Sequence, residues 1–382
     1  MNPVATGAGA DAHGASAYRI APTLLLRGDG ALSAAVPIVA DWGDRLLWVE
    51  GETGAERLPA TVRESLAAVG VELIEATHRG PCSADAVARL RARADEAGAD
   101  GLVAVGGGRV LDAAKAAADD LGRPFAAIAA SPATCAAVTP LSVMYDAGGR
   151  YRSTRATRQA PDLAVLDPGL LARAPDRLLV AGILDALAKV HEVRRTTRGA
   201  ARHAAGARAA LALCDDLENL LAEHAAAAVA AGPSSADVRA LVAEACVLTP
   251  GLIGGVAGEA AKLAAAHPIH NALTALPGSH ASLHGELVGF GILVQLELEG
   301  RGDAAVRAEA ARFARLGVAC HLAALGCGEA SGAAGRAVAL ETVTTTAMRS
   351  AFPDVTADDL FDAMQRVDAE AGRAWTDVAA RS

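Results

Sequence analysis

Between about Tyr18 and Asp167, short apolar runs rich in Val, Leu and Ile alternate with longer amphipathic stretches. The runs DRLLWVEG (44–51), GVELIEA (70–76), DGLVAVGGG (100–108), RPFAAIAAS (123–131) and DLAVLD (162–167) read as strands, with helices expected over Leu58–Val69, over Ser83–Gly98 and after the glycines. Near-continuous apolar strands separated by helices predict a parallel sheet covered on its faces. LSVMYDAGGRYRS (141–153) carries the turn DAGG between two strand-like runs and predicts a hairpin. From about Arg173 the strand signals vanish, and segments of helical period continue to the C-terminus, punctuated at Gly232-Pro233, Pro250-Gly251, Pro277-Gly278 and Phe352-Pro353. The pattern predicts a disordered tail over 1–17, an α/β domain over 18–174 and an all-helical domain over 175–382. No internal repeat of fixed period is evident.

Composition narrows the function classes. The chain has 382 residues, enough for two domains with buried cores, and a net charge of −9. No basic stripe is present for a phosphate backbone, so the partner expected is a small molecule and not a nucleic acid. No apolar run approaches the length of a membrane span, and the first seventeen residues lack the basic start and apolar core of a signal peptide. Six scattered cysteines without a CxxC pair fit a reducing cytoplasm, and Cys82, Cys214, Cys246, Cys320 and Cys327 read as small packing residues.

Two stretches carry candidate chemistry. In DGLVAVGGGRVLDAAKA a strand ends in Gly106, Gly107 and Gly108 and a helix begins at once. Glycines let a ligand approach the backbone, and exposed N–H groups at a helix start suit a pyrophosphate; an ordinary tight turn has the same letters. Asp112 and Lys115, three apart, read as a surface ion pair or as a brace for the glycine loop. In HPIHNALTALPGSHASLHGE four of the chain's ten histidines fall within eighteen residues. Neutral imidazoles are common metal ligands, although His267 and His270, one turn apart, would also suit a polar patch without a metal.

The segments GGGRVLDAAKA, TPLSVMYDAGGRY, RLLVAGILDALAKVHE and AAAHPIHNALTALPGSHASLHGELVGFGILVQ, in that order over residues 20 to 375, resemble the iron-containing alcohol dehydrogenase family and its glycerol dehydrogenase-like branch. The resemblance implies a Rossmann-like α/β domain followed by an all-α domain, the fold shared with dehydroquinate synthase-like proteins. It implies a nicotinamide dinucleotide, NAD or NADP, on the first domain, one divalent metal, Zn²⁺ or Fe²⁺, on helices of the second, and substrate between them. Carried over, the metal ligands are Asp185, His267 and His284; without a metal these would be an Asp185–Lys189 helix pair and two buried, satisfied histidines. His270 would sit beside the site to orient substrate or relay a proton, while His280 reads as exposed. Gly106, Gly107 and Gly108 would hold the pyrophosphate, with Thr134, Thr139, Leu141 and Tyr145 along the rest of the cofactor. Glu50, ending the second strand, is a candidate for the adenosine ribose, where an acid favours NAD. Family members commonly assemble through the first domain, so a homo-oligomer is expected.

One departure bears on substrate. Glycerol dehydrogenases carry an aspartate where this chain has Cys135, and a thiol is a poor partner for a triol. The string TCAA…TPLSV and the GILVQ after LHGE look like the 2-hydroxycarboxylate dehydrogenase relatives, yet those place a tryptophan where Val138 stands, which suggests a roomier pocket. The leading reading is a metal-dependent NAD(P)-linked dehydrogenase for a small hydroxy or oxo acid. Beside it stand oxidation of a β-hydroxy acid, even the C-terminal threonine of a short peptide, with loss of CO₂, and a non-catalytic binding protein on the same fold.

Overall fold

The computed structural model describes residues 19–51, 60–198, 204–230, 236–258 and 263–381; the tail expected over 1–17 and the helix start expected at Leu58 lie outside them. The chain divides into two compact units, one running to Pro175 and taking in Pro233–Gly255, the other comprising Asp176–Gly232 and Val256–Ser382.

The first unit contains β1 (Leu24–Arg27), α1 (Ala31–Ala40), β2 (Arg45–Gly51), α2 (Ala60–Ala68), β3 (Glu72–His78), α3 (Ala84–Glu96), β4 (Gly101–Gly106), α4 (Gly108–Leu121), β5 (Phe125–Ala129), the pair β6 (Leu141–Tyr145) and β7 (Tyr151–Ala156), β8 (Leu163–Leu166) and α5 (Pro168–Ala172). Six strands form one parallel sheet in the order β1-β8-β5-β4-β2-β3. The crossovers through α1 and α2 run across the sheet in one direction and those through α3 and α4 in the other. Right-handed connections therefore put the two pairs on opposite faces. Trp48 packs with Ala35, Val36, Val62 and Leu66 of α1 and α2, while Gly106, at the end of β4, faces Val110 of α4. Every residue of β4, β5 and β8 is buried, which is why these strands read as continuous apolar runs rather than alternating ones.

The expected hairpin is present as antiparallel β6–β7. Its turn is closed by Asp146, whose Oδ1 accepts from the N–H groups of Gly148 and Arg150, and Gly149 takes a positive φ of 91°.

The expected boundary near Ala174 lies beside the observed division at Pro175, but α8 (Ala236–Ala257), read from its sequence as part of the helical domain, belongs mainly to the α/β unit. The reason is Arg239, fully buried, whose guanidinium donates to the carbonyls of Ala172, at 2.7 Å, and Ala174; a buried cation needs such acceptors. Arg27 also pairs with Glu244 at 2.6 Å. Contrary to the expectation that no apolar run nears membrane-span length, Asp237–Ala257 is long and apolar enough to do so. Half of it is buried inside the protein, as in a core helix.

The second unit is helical among the described residues: α6 (Asp176–Thr196), α7 (Ala205–Ala230), α9 (Ala266–Leu273), α10 (His284–Leu298), α11 (Asp303–Arg315), α12 (Ala333–Val343), α13 (Thr346–Ala351) and α14 (Ala357–Ala379). Two glycines set how closely α10 lies on its neighbours. A Cβ on Gly285 would collide with the Ala181 carbonyl of α6, and one on Gly291 with the Ala266 carbonyl of α9. Glu286 fixes the start of α10, accepting from the Leu283 N–H and pairing through both oxygens with Arg177 of α6 at 2.6 and 2.7 Å.

Gly285→Ala should lower the thermal unfolding midpoint by the equivalent of about 3 kcal/mol, because backbone rather than a flexible side chain blocks the added methyl. Gly372→Ala, inside α14 with nothing within 4 Å of the added Cβ, should raise it by about 0.5–1 kcal/mol. Differential scanning fluorimetry of the two variants reads the opposite signs; a destabilising Gly372→Ala or a neutral Gly285→Ala would contradict this packing.

Candidate active site

In the second unit three donors converge from three helices. Asp185 lies mid-way along α6, His267 in the first turn of α9, and His284 is the first residue of α10. Their ligand atoms all lie within 4.8 Å of one another, and Oδ1 of Asp185 is 3.2 Å from Nε2 of each histidine. One carboxylate and two imidazoles so placed fit a divalent cation with a coordination position to spare.

The surrounding hydrogen bonds fix which nitrogen each ring presents. His267 Nδ1 donates to Glu192 Oε2 at 2.6 Å, so Nε2 is the ring nitrogen turned to Asp185, the one that gives up its proton to take a cation. Glu192 has no exposed surface, and its Oε1 accepts from the backbone N–H groups of Ala264 and His267, both at 3.0 Å. On the other side, His270 Nδ1 donates to Asn271 Oδ1 at 3.0 Å, so its Nε2 accepts from His284 Nδ1 at 3.1 Å and His284 likewise presents its Nε2 to Asp185.

The electrostatics follow. Burial opposes the charge on Asp185, but its hydrogen bonds to His267 and His284 outweigh that and hold its carboxyl far below the usual range. Burial likewise opposes protonation of His267, yet the Glu192 and Asp185 carboxylates raise it to about 9. His270 is held well below its ordinary value by burial and by its histidine neighbours, and so is neutral.

Of the four clustered histidines, three therefore gather at the site. His280 is exposed, with Nε2 at 3.1 Å from the Thr274 carbonyl. Glu192 and Asn271 were missed in the sequence. Glu192 stands seven residues after Asp185, two helical turns along the same face, and that spacing was the available signal.

In the first unit β4 ends at Gly106, and Gly107 precedes α4 with no side chain capping the helix. Among the described residues, the first N–H groups of this fourteen-residue helix thus have no side-chain acceptor. A Cβ on Gly108 would come within 2.8 Å of Thr134 Oγ1, and one on Gly107 within 3.3 Å of Ser131 Cβ. This bare cradle at a helix start fits a pyrophosphate.

Asp112 and Lys115 are not a surface pair. Both are buried: Lys115 Nζ donates to Asp112 at 3.2 Å and to the carbonyls of Ala136 and Leu141 at 2.7 and 2.6 Å, while Asp112 accepts from the Val143 N–H at 3.0 Å. They lock the glycine-loop helix to the segment bearing Cys135, Thr139 and Leu141. Cys135 and Thr139 are half-buried, Leu141 is exposed, and Tyr145, at the end of β6, stacks edge-on with Tyr151. Two expectations fail. Glu50 points to the α1/α2 face, where Trp48 Nε1 and Arg63 donate to its Oε1, so its carboxylate is already engaged. Val138 is 2 % exposed and packs against Gly251 of α8, not into an open pocket. None of the six cysteines is in a disulfide, and all but Cys135 are buried.

Residues 22–168 match the family model described as iron-containing alcohol dehydrogenase. A glycerol dehydrogenase of Escherichia coli is 36% identical over 278 residues, covering 70% of this chain and 73% of that protein. The hydroxycarboxylate dehydrogenase A of the same species is 32% identical over 263 residues, covering 68% and 71%. The crystal structure of a probable glycerol dehydrogenase from Sinorhizobium meliloti superposes with a TM-score of 0.80 at 28% identity, over 92% of this chain and 98% of that one. The chain belongs to the iron-containing alcohol dehydrogenase family, metal-dependent and NAD(P)-dependent oxidoreductases that act on CH–OH donors.

Proposed function

We propose that the protein interconverts a secondary alcohol and a ketone on a small hydroxy or oxo acid, with a nicotinamide dinucleotide and one divalent cation, Zn²⁺ or Fe²⁺. The observation that carries this reading is the convergence of Asp185, His267 and His284, which would hold the cation. When bound, the cation supplies Lewis acidity to the substrate oxygen and the nicotinamide supplies hydride chemistry.

The remaining work falls to the chain. Glu192 holds the Nδ1–H of His267 and His270 that of His284, so Nε2 is the atom each ring would offer the cation. Neutral and buried, His270 acts on the reaction by holding His284. Gly106, Gly107 and Gly108, with the start of α4, would receive the pyrophosphate. Cys135 in place of a carboxylate disfavours a polyol and supports an acid substrate, in keeping with the name of one relative, hydroxycarboxylate dehydrogenase A. The β-hydroxy acid and peptide reading loses its motive, since Val138 is buried against Gly251. Membership of an enzyme family, together with three donors placed to hold a cation, speaks against the non-catalytic reading. Six cysteines without a disulfide support a reducing cytoplasm.

NAD(P)H oxidation across a panel of 2-oxo acids and dihydroxyacetone should give a kcat/KM about tenfold or more higher for the best oxo acid. Faster turnover of dihydroxyacetone overturns the substrate assignment, and full activity after exhaustive chelation overturns the metal. Glu192→Gln, which keeps the shape but removes the charge, should weaken cation affinity about 10–100-fold in competition with a chromophoric chelator; unchanged affinity contradicts its part. Because His267 titrates near 9 without metal, it is protonated at pH 7.5 and must lose that proton to bind. Cation binding should therefore release about one proton and strengthen as pH rises toward 9. Titration calorimetry in buffers of different ionisation enthalpy reads this; heats independent of buffer would refute it.

A further inference from the structure

At the carboxyl edge of the parallel sheet, strand alternation separates two faces. Trp48 and Glu50 turn to α1 and α2, where Arg63 pairs with Glu50. Gly51 turns to α4: a Cβ there would lie 2.9 Å from Val110 Cγ2. The register sets His78 of β3 beside Gly51, on the same face. His78 is 5 % exposed, and its Nε2 has no hydrogen-bond partner among the described residues. A buried polar atom left unpaired is costly and calls for an explanation.

Two cations flank this spot. Arg109 stands exposed in the first turn of α4, directly after the glycine cradle, and Arg89 lies exposed on α3. Neither has a hydrogen bond or ion pair among the described residues. Both are near enough to act on His78, which burial first, and these two charges after it, hold below its ordinary pKa.

In dinucleotide-binding sheets the strand beside the glycine-loop strand ends at the adenosine ribose. An acid there accepts from the 2′-hydroxyl and repels a 2′-phosphate, whereas a nearby arginine accommodates one. Here β2 is that neighbour of β4, and on the α4 face it ends without a side chain. The only acid at the strand's described end, Glu50, is turned to the opposite face and already paired.

We propose that the adenosine subsite takes the 2′-phosphate of NADP(H), with Arg109 pairing to the phosphate and His78 lining its pocket beside Gly51. The inference rests on the dinucleotide reading above and reverses the preference for NAD that Glu50 suggests in the sequence. An arginine–phosphate pair is charge-assisted and bidentate, so its contribution is large enough to read in binding without turnover.

Adenosine 2′,5′-bisphosphate and adenosine 5′-monophosphate, titrated calorimetrically into the full-length chain, report the subsite independently of activity. The bisphosphate should bind about tenfold or more tightly than the monophosphate, and that ratio should fall to about one in Arg109→Ala and partly recover in Arg109→Lys. Equal binding by the unaltered protein, tighter monophosphate binding, or a ratio that survives Arg109→Ala overturns the inference while leaving the dinucleotide reading in place. Failure of both nucleotides to bind at millimolar concentration overturns both.

Discussion

The carboxylate of Glu192, with no exposed surface, anchors the second unit's chemistry. A buried carboxylate costs several kcal/mol unless its oxygens are satisfied, and here three N–H groups do so, all from the chain entering α9. The same contacts that repay its desolvation determine where α9 begins, how the His267 ring turns and which nitrogen it offers. Asp185 is placed by the same helix, two turns earlier. His284 arrives from α10, whose close seat on α6 depends on Gly285. Donor geometry is thus a product of helix packing and not of a flexible loop.

Helix α4 has a corresponding role in the first unit. Its start forms the glycine cradle, its second turn buries Asp112 and Lys115 against the 136–143 segment, and its end holds the hairpin through Asp119 and Asp120, which pair with Arg155 at 3.0 and 2.6 Å. One element therefore carries the cradle and fixes the residues flanking it.

Much of this was legible in the chain. Apolar runs gave the strands because burial on both faces removes alternation, and DAGG marked the hairpin because its Asp and Gly close the turn. The histidine cluster marked the centre, but Asp185 lies 82 residues before His267, and only family resemblance, not any local pattern, joined them. What stayed hidden depends on tertiary contacts. Asp112 and Lys115 look like a surface pair until α4 proves to be covered on all sides. Glu50 sits at the strand end where an acid is sought, yet strand alternation sends it to the other face. The assignment of α8 to the first unit required knowing that Arg239 would find the carbonyls of Ala172 and Ala174.

The two strands of the hairpin are secured by different kinds of contact. β6 is tied down by Lys115 and Asp112 out of reach of solvent ions, whereas β7 is held to α4 by Arg155, and the chain just after it by Arg158, whose side chains are 31% and 59% exposed. Salt screens the second attachment and spares the first. Rising ionic strength thus loosens the hairpin from its β7 side alone, and the strand that borders the glycine-loop helix keeps its place in brine.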